Sequence, residues 1–217
     1  MERLVSDLRD LEYRMRRQTE RLISISQIPQ RFLPKTLENF SIEQEWQRQN
    51  LDSALAYVSK FDANHAAGRS IIMSGDVGTG KTHLACGIGQ HVIREYGAAV
   101  CYATVYDLLQ FVKGSFQRGA EYTEAQAIRY FVNPALLIID EVGVTKTTDF
   151  ELQTIFTVIN GRYEEQKPTI VISNLGFSEL NQAMGERCID RLRENGGIPM
   201  VFQGESQRRA QRPSGDL

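Results

Sequence analysis

The chain has 217 residues, 41% of them hydrophobic and 24% charged, with a formal net charge of −2. That length buries a core without disulfides, and the near-neutral charge excludes a histone-like, charge-driven nucleic-acid binder while leaving a local basic groove open. No apolar run approaches the roughly 20 residues of a membrane span. Met1-Glu2-Arg3 opens a charged stretch rather than a signal peptide, and Cys86, Cys101 and Cys188 show no CxxC spacing, so membrane, secreted and zinc readings fall away. A cytoplasmic chain with reduced core thiols is expected.

Residues 1–25 read as one helix. Leu4, Leu8, Leu11, Met15 and Leu22 recur at spacings of four and three, Gln18 takes the one polar slot, and Arg3, Asp7, Arg9, Asp10, Arg14, Arg16 and Arg17 cover the other faces. The stripe is too short for a coiled coil, so it either docks on its own domain or binds another protein. Pro29 and Pro34 then mark an extended linker where helices cannot continue. The expected units are a partner-binding amphipathic helix over 1–28, a linker over 29–43, a main domain over 44–208 and a mobile tail over 209–217. A second helical pattern over 44–61 places Trp46, Leu51, Ala54, Leu55, Val58 and Phe61 on one side.

Beyond Gly68, apolar runs at 70–74, 99–103, 136–140, 169–173 and 199–202 alternate with segments long enough for right-handed crossover helices. The pattern is that of an α/β domain with a five-stranded parallel sheet and flanking helices.

Gly75-Asp76-Val77-Gly78-Thr79-Gly80-Lys81-Thr82 fits G-x-x-x-x-G-K-[ST] between the first strand and a helix over 83–96. The glycines let backbone N–H groups point at phosphate oxygens, the helix N-terminus adds favourable charge, Lys81 reaches the β/γ-phosphates and Thr82 offers its hydroxyl to Mg²⁺. The bland alternative, a Gly-rich turn before an ordinary helix, does not account for the full eight-residue motif in that context.

The third run ends in Asp140-Glu141. Asp140 is placed to hold Mg²⁺ and Glu141 to orient or deprotonate an attacking water, which favours hydrolysis over a small-molecule kinase. No Asn-Lys-x-Asp occurs to select guanine, so ATP is the expected nucleotide. The fourth run ends at Asn174, which either reaches between the carboxylates and the γ-phosphate or simply starts a turn. Residues 185–193 form an arginine-studded helix whose charges are either a solvated face or a finger toward a neighbouring subunit's γ-phosphate.

The order of phosphate loop, Asp-Glu strand, strand-end Asn and the helix Glu186-Arg187-Cys188-Ile189-Asp190-Arg191-Leu192 resembles an AAA+ ATPase of the DnaC-like helicase-loader group, related to bacterial initiator ATPases and IstB-type transposition helpers. Arg31-Phe32, residues 36–40, Asp140-Glu141-Val142-Gly143 and residues 204–208 carry the same resemblance.

It implies Arg191 as arginine finger, Arg187 as a second arginine and Arg208 as a sensor touching phosphate. It also implies a self-associating ATPase domain, single-stranded DNA as ligand, and a replicative helicase hexamer held by the amino-terminal helix. Two helices, over 105–118 and 121–131, stand where a minimal domain has one. Lys113, Phe116, Thr148 and Phe150 match DNA-contacting positions of the group, with Arg118 as a lesser candidate. A lysine for phosphate and aromatics for bases suit sequence-tolerant binding of one strand, although both phenylalanines read equally as core. Only nine residues follow Arg208, so the carboxy-terminal lid is expected to be reduced or absent. The alternatives are an IstB-like transposase helper and a nucleotide-gated adaptor that binds proteins only.

Overall fold

The structure, a computed structural model, describes residues 2–143 and 148–207, without the side chains of residues 2–8 and 10–12. Five parallel strands, β1 (Ile71–Gly75), β2 (Val100–Thr104), β3 (Leu136–Val142), β4 (Thr169–Ser173) and β5 (Ile198–Phe202), lie in the order β2-β3-β4-β1-β5. The parallel registers pair Ile71 with Ile170 and with Ile198, and Leu137 with Thr169. Successive side chains alternate between the faces. Met73, Tyr102, Ile138, Ile172 and Phe202 point into one buried cluster, and Ile72, Cys101, Leu137, Ile139 and Val171 into the other.

The first face is covered by α1 (Glu2–Ile25), α2 (Glu45–Ser59), α3 (Phe61–Ala66) and α4 (Lys81–Tyr96). The second is covered by α5 (Val105–Gly114), α6 (Glu124–Val132), α7 (Asp149–Glu164), α8 (Phe177–Met184) and α9 (Glu186–Glu194). Thr104, Thr123 and Thr148 each cap the helix that follows and are answered three residues on by Asp107, Gln126 and Glu151. The Thr123 cap explains why α6 begins after 123 rather than at 121; α5 closes at Gly114 rather than 118.

The predicted α2 face holds for Ala54 and Val58, with Trp46 and Leu51 partly buried on the same core, while Leu55 is 42% exposed; the helix breaks at Lys60 and Phe61 enters the core from α3. The three cysteines are free and buried. No helix among the described residues is long and apolar enough to cross a membrane.

The segment after α1, read as an extended linker, is a strap bound to the domain. Ile28, Leu37 and Phe40 are buried in the first-face core, and a 3-10 turn occupies Gln30–Phe32. Gln90 on α4 donates to the Phe32 and Lys35 carbonyls at 3.0 and 2.8 Å. The Gly87 position lets Leu37 lie against α4. The last turns of α1 dock, with Leu22 and Ile23 packed on the same core, while Tyr13 and Met15 remain exposed. Among the described residues no helix follows β5.

Candidate nucleotide site and the surfaces around it

The loop between β1 and α4 has positive φ at Gly75, Gly78 and Gly80 (127°, 80° and 100°), backbone that a β-carbon resists. Space adds a second constraint. A Cβ at Gly75 would overlap the Phe202 carbonyl, one at Gly78 the Ser206 side chain, and one at Gly80 would lie 2.9 Å from the Phe40 ring. The loop is therefore clamped between the strap and the segment after β5. Asp76 N–H donates to Phe202 O at 2.9 Å, Gly204 N–H to the Asp76 carboxylate at 2.9 Å, and Gln207 N–H to Gly78 O at 3.1 Å. Thr79 Oγ1 donates to Asp76 O at 2.7 Å, and Val77 lies on the rim, 57% exposed. Lys81 is buried, its ammonium bonded to the Gly75 and Asp76 carbonyls at 2.7 and 2.6 Å.

Asp140, two residues before the end of β3, has three donors on it. Thr82 Oγ1 and Tyr102 OH give to one oxygen at 2.8 and 2.9 Å, and Glu141 N–H gives to the other at 2.7 Å. Burial first, then the neighbouring Asp140 charge, pushes the Tyr102 hydroxyl well above the ordinary tyrosine range, so it stays a donor. Beyond it the ladder to β4 slips between Ile139 and Val142, and Glu141 takes φ +62°. That left-handed step leaves Glu141 exposed while Val142 returns to the core. Ser173 Oγ donates to Val142 O at 2.7 Å and accepts from Leu175 N–H at 3.1 Å, closing the turn that carries Asn174.

These residues converge on a cavity of about 390 Å³ lined by Val77, Gly78, Gly80, Lys81, Thr82, Asp140, Glu141 and Asn174. Its opposite wall is the strap, with Arg31, Phe32, Lys35, Asn39 and Ser41, together with His83 and Gln207. Sequence reasoning missed this wall, because Pro29 and Pro34 signal a break in helix but not where the chain goes next. Asn39 Oδ1 accepts from Thr36 N–H and its amide gives to Pro34 O, which fixes its orientation. The proton of His83 accordingly sits on Nε2, given to Thr36 O and Asn39 Oδ1 at 2.9 and 3.0 Å. Burial holds His83 below the ordinary histidine value, and Lys35 adds to the effect, against the Thr36 hydrogen bond.

The cradle fits a nucleoside triphosphate. Three glycines leave room where side chains would block, a helix begins at Lys81, and a hydroxyl and a carboxylate stand 2.8 Å apart. No group of three or more His, Cys, Asp or Glu side chains among the described residues forms a metal cage. A magnesium ion here would draw its remaining ligands from phosphate and water, as Mg²⁺ commonly does.

The second set of residues comes together from two elements. Lys113 Nζ at the end of α5 lies 5.4 Å from the centre of the Phe150 ring on α7, and the Phe150 and Phe116 rings meet edge to face at 6.1 Å. Phe116 is 56% exposed, unlike a core residue, while Phe150 is partly buried against the second-face core. Thr148 lies beside Phe150, its hydroxyl committed to capping α7. Arg118 is exposed beyond α5.

On α9, Arg187 is exposed and Arg191 lies over two rings of α7, Tyr163 at 4.6 Å and Phe156 at 5.7 Å, with its Nε buried and without a partner. Neither arginine lines this chain's own cavity. Arg208 and the tail over 209–217 lie outside the described residues.

The family model for IstB-like ATP binding protein matches residues 1–214. The chain is 33% identical over 189 residues to the replicative helicase loader DnaC of Buchnera aphidicola subsp. Schizaphis graminum, covering 87% of this chain and 75% of the relative. To the replicative helicase loader DnaC of Escherichia coli K12 it is 34% identical over 173 residues, covering 80% and 69%. Among solved structures, the crystal structure of a DnaC helicase loader gives a TM-score of 0.73 at 21% identity, over 81% of this chain and 100% of that one. AMPPCP-bound DnaA from Aquifex aeolicus gives 0.66 at 24% identity, over 81% and 52%. At these identities the two structures speak to the fold alone, a five-stranded parallel sheet with flanking helices.

Proposed function

This chain belongs to the IstB-like ATP-binding protein family, and from that premise we propose that it is an ATP-dependent loader of a replicative DNA helicase onto single-stranded DNA. The observation that carries this reading is the match to helicase loaders over most of both chains, 87% and 75% in one case. The geometry supports the parts.

Lys81 would leave the Gly75 and Asp76 carbonyls for the β/γ-phosphates, and Asn174 would approach them from the turn after β4. Thr82 and Asp140 would hold a magnesium ion, which supplies positive charge between the phosphates when bound. Glu141, lifted out of the strand, would orient or deprotonate the attacking water. Arg191 and Arg187, remote from their own cavity, would serve a neighbouring subunit's γ-phosphate, and Arg208 would sense phosphate, so that ATP favours side-by-side assembly. Lys113, Phe116 and Phe150, with Thr148 beside them, would grip single-stranded DNA in that assembly. The exposed part of α1 would hold the helicase hexamer in the cytoplasm, and hydrolysis would release the grip.

The test is co-purification with the replicative helicase, with and without residues 1–25, alongside ATP binding of Lys81→Ala. A complex lost on truncation and ATP binding lost on substitution are expected. No complex with the full chain would sink the loader reading. A transposase-helper role, the alternative implied by the resemblance to IstB-type proteins, predicts instead filaments on double-stranded DNA and no helicase complex.

A further inference from the structure

Tyr102 lies on β2, an edge strand of the sheet, and is only 6% exposed. Its two hydrogen-bond donors serve different parts of the molecule. The hydroxyl gives to the Asp140 oxygen that also receives Thr82, while the backbone N–H gives to Ser26 O at 2.7 Å. Ser26 is fully buried at the root of α1. Its hydroxyl donates to Ile23 O at 2.8 Å, Gln27 turns the chain with φ +61°, and Ile28 N–H bonds back to Ser26 Oγ at 3.3 Å. The helix thus leaves the domain through a bonded turn seated on the sheet edge, and one residue spans from that seat to the carboxylate.

We propose that Tyr102 is a positioning residue that sets the Asp140 carboxylate for the nucleotide's divalent ion and couples it to the seating of α1. The inference rests on the nucleotide reading above. With Thr82 and the Glu141 N–H, the Tyr102 hydroxyl fixes the carboxylate against rotation. Movement of Asp140 toward or away from an ion is passed through a stiff, buried ring to the strand that holds Ser26 O. The partner-binding helix and the metal site thereby share one hydrogen-bonded path: Ile23, Ser26, Tyr102, Asp140, Thr82.

The experiment compares the full chain with Tyr102→Phe, which keeps the ring and removes only the hydroxyl. Electron paramagnetic resonance measures Mn²⁺ affinity with ADP present, and nucleotide affinity is measured separately in EDTA. Losing an outer-shell partner of a metal ligand typically costs 10–100-fold in metal affinity, so roughly ten-fold weaker Mn²⁺ binding is expected, with nucleotide affinity in EDTA unchanged. Hydrogen exchange on the wild-type chain provides a reading independent of the variant's folding. The amides of residues 23–28 and 102 are expected to exchange more slowly with Mg²⁺-ADP than with ADP in EDTA, a difference that disappears in Tyr102→Phe. A variant with Mn²⁺ affinity within two-fold of wild type, or a wild type whose 23–28 exchange ignores the metal, overturns the inference. A wild type that takes up neither ADP nor Mn²⁺ overturns the nucleotide reading as well, which separates the two failures.

Discussion

Replacing Arg162 with methionine tests what holds the second face together. Arg162 is fully buried on α7. Its Nε gives to Thr169 Oγ1 at 2.9 Å, Nη1 to the Phe131, Val132 and Pro134 carbonyls at 3.0, 2.9 and 2.9 Å, and Nη2 to Pro168 O at 2.5 Å. Two of those carbonyls end α6, where a helix leaves its last acceptors unsatisfied. Methionine fills much of the space and ends the cost of burying a charge, but it offers no donor to the five groups left behind.

A buried acceptor without a partner costs about 1–3 kcal/mol, and two such groups after relaxation amount to a loss of about 4 kcal/mol. For a domain of this size that lowers Tm by about 8–16 °C. Circular dichroism melts and urea midpoints of the wild type, Arg162→Met and Arg162→Lys provide the measure. Lysine, with donors on a single nitrogen, is expected to fall between the other two. An unchanged or raised Tm in Arg162→Met would refute the reasoning, since the guanidinium's desolvation would then outweigh its bonds.

Phe116→Ala is expected to weaken single-stranded DNA binding by roughly 1–3 kcal/mol, about five- to 150-fold, and Lys113→Ala to reduce the salt slope by about 0.7, both read by fluorescence anisotropy against salt. Arg191→Ala is expected to abolish ATP hydrolysis by the assembled protein while leaving the nucleotide affinity of the isolated chain intact, as isothermal titration and phosphate release would show; loss of that affinity would place the arginine in its own site. Burial first, and nearby cations next, hold His83 and His65 below the ordinary histidine value. The fold binds fewer protons there than the unfolded chain, so their contribution is complete above about pH 6.5 and is lost as pH falls below it. Melting scans between pH 7.5 and 5.5 are expected to show this decline, and His83→Gln to make it shallower.

The phosphate loop and all five strands were legible because their signals are local: apolar runs, glycines at fixed spacing, and carboxylates at a strand end. Observed strand starts lie within one residue of the expected ones. The strap was not legible, because Ile28, Leu37 and Phe40 follow no period and find their places only in the assembled first-face core, Leu37 beside Gly87 of α4 and Phe40 beside Gly80 of the phosphate loop. Tyr102 reads as an ordinary strand aromatic, since its partner Asp140 is 38 positions away. Arg162 was invisible for the opposite reason: arginine is a surface residue by composition, and only the folded α6 terminus shows why this one is inside. The meeting of Lys113 and Phe116 with Phe150 likewise required α5 and α7 to be laid side by side.

The left-handed backbone at Glu141 has a consequence for how the chain is controlled. A non-glycine residue held at φ +62° stores of order 1–3 kcal/mol, supplied by the surrounding strands when the protein folds. The fold itself thereby keeps Glu141 exposed beside the cavity that it lines. Asparagine or glycine would sit there more comfortably than glutamate, and a β-branched residue hardly at all. Selection for stability alone would drift away from an acid at this position. If Glu141 orients water as proposed, a glutamate held this way in the resting chain would leave the timing of hydrolysis to a group supplied from outside the subunit.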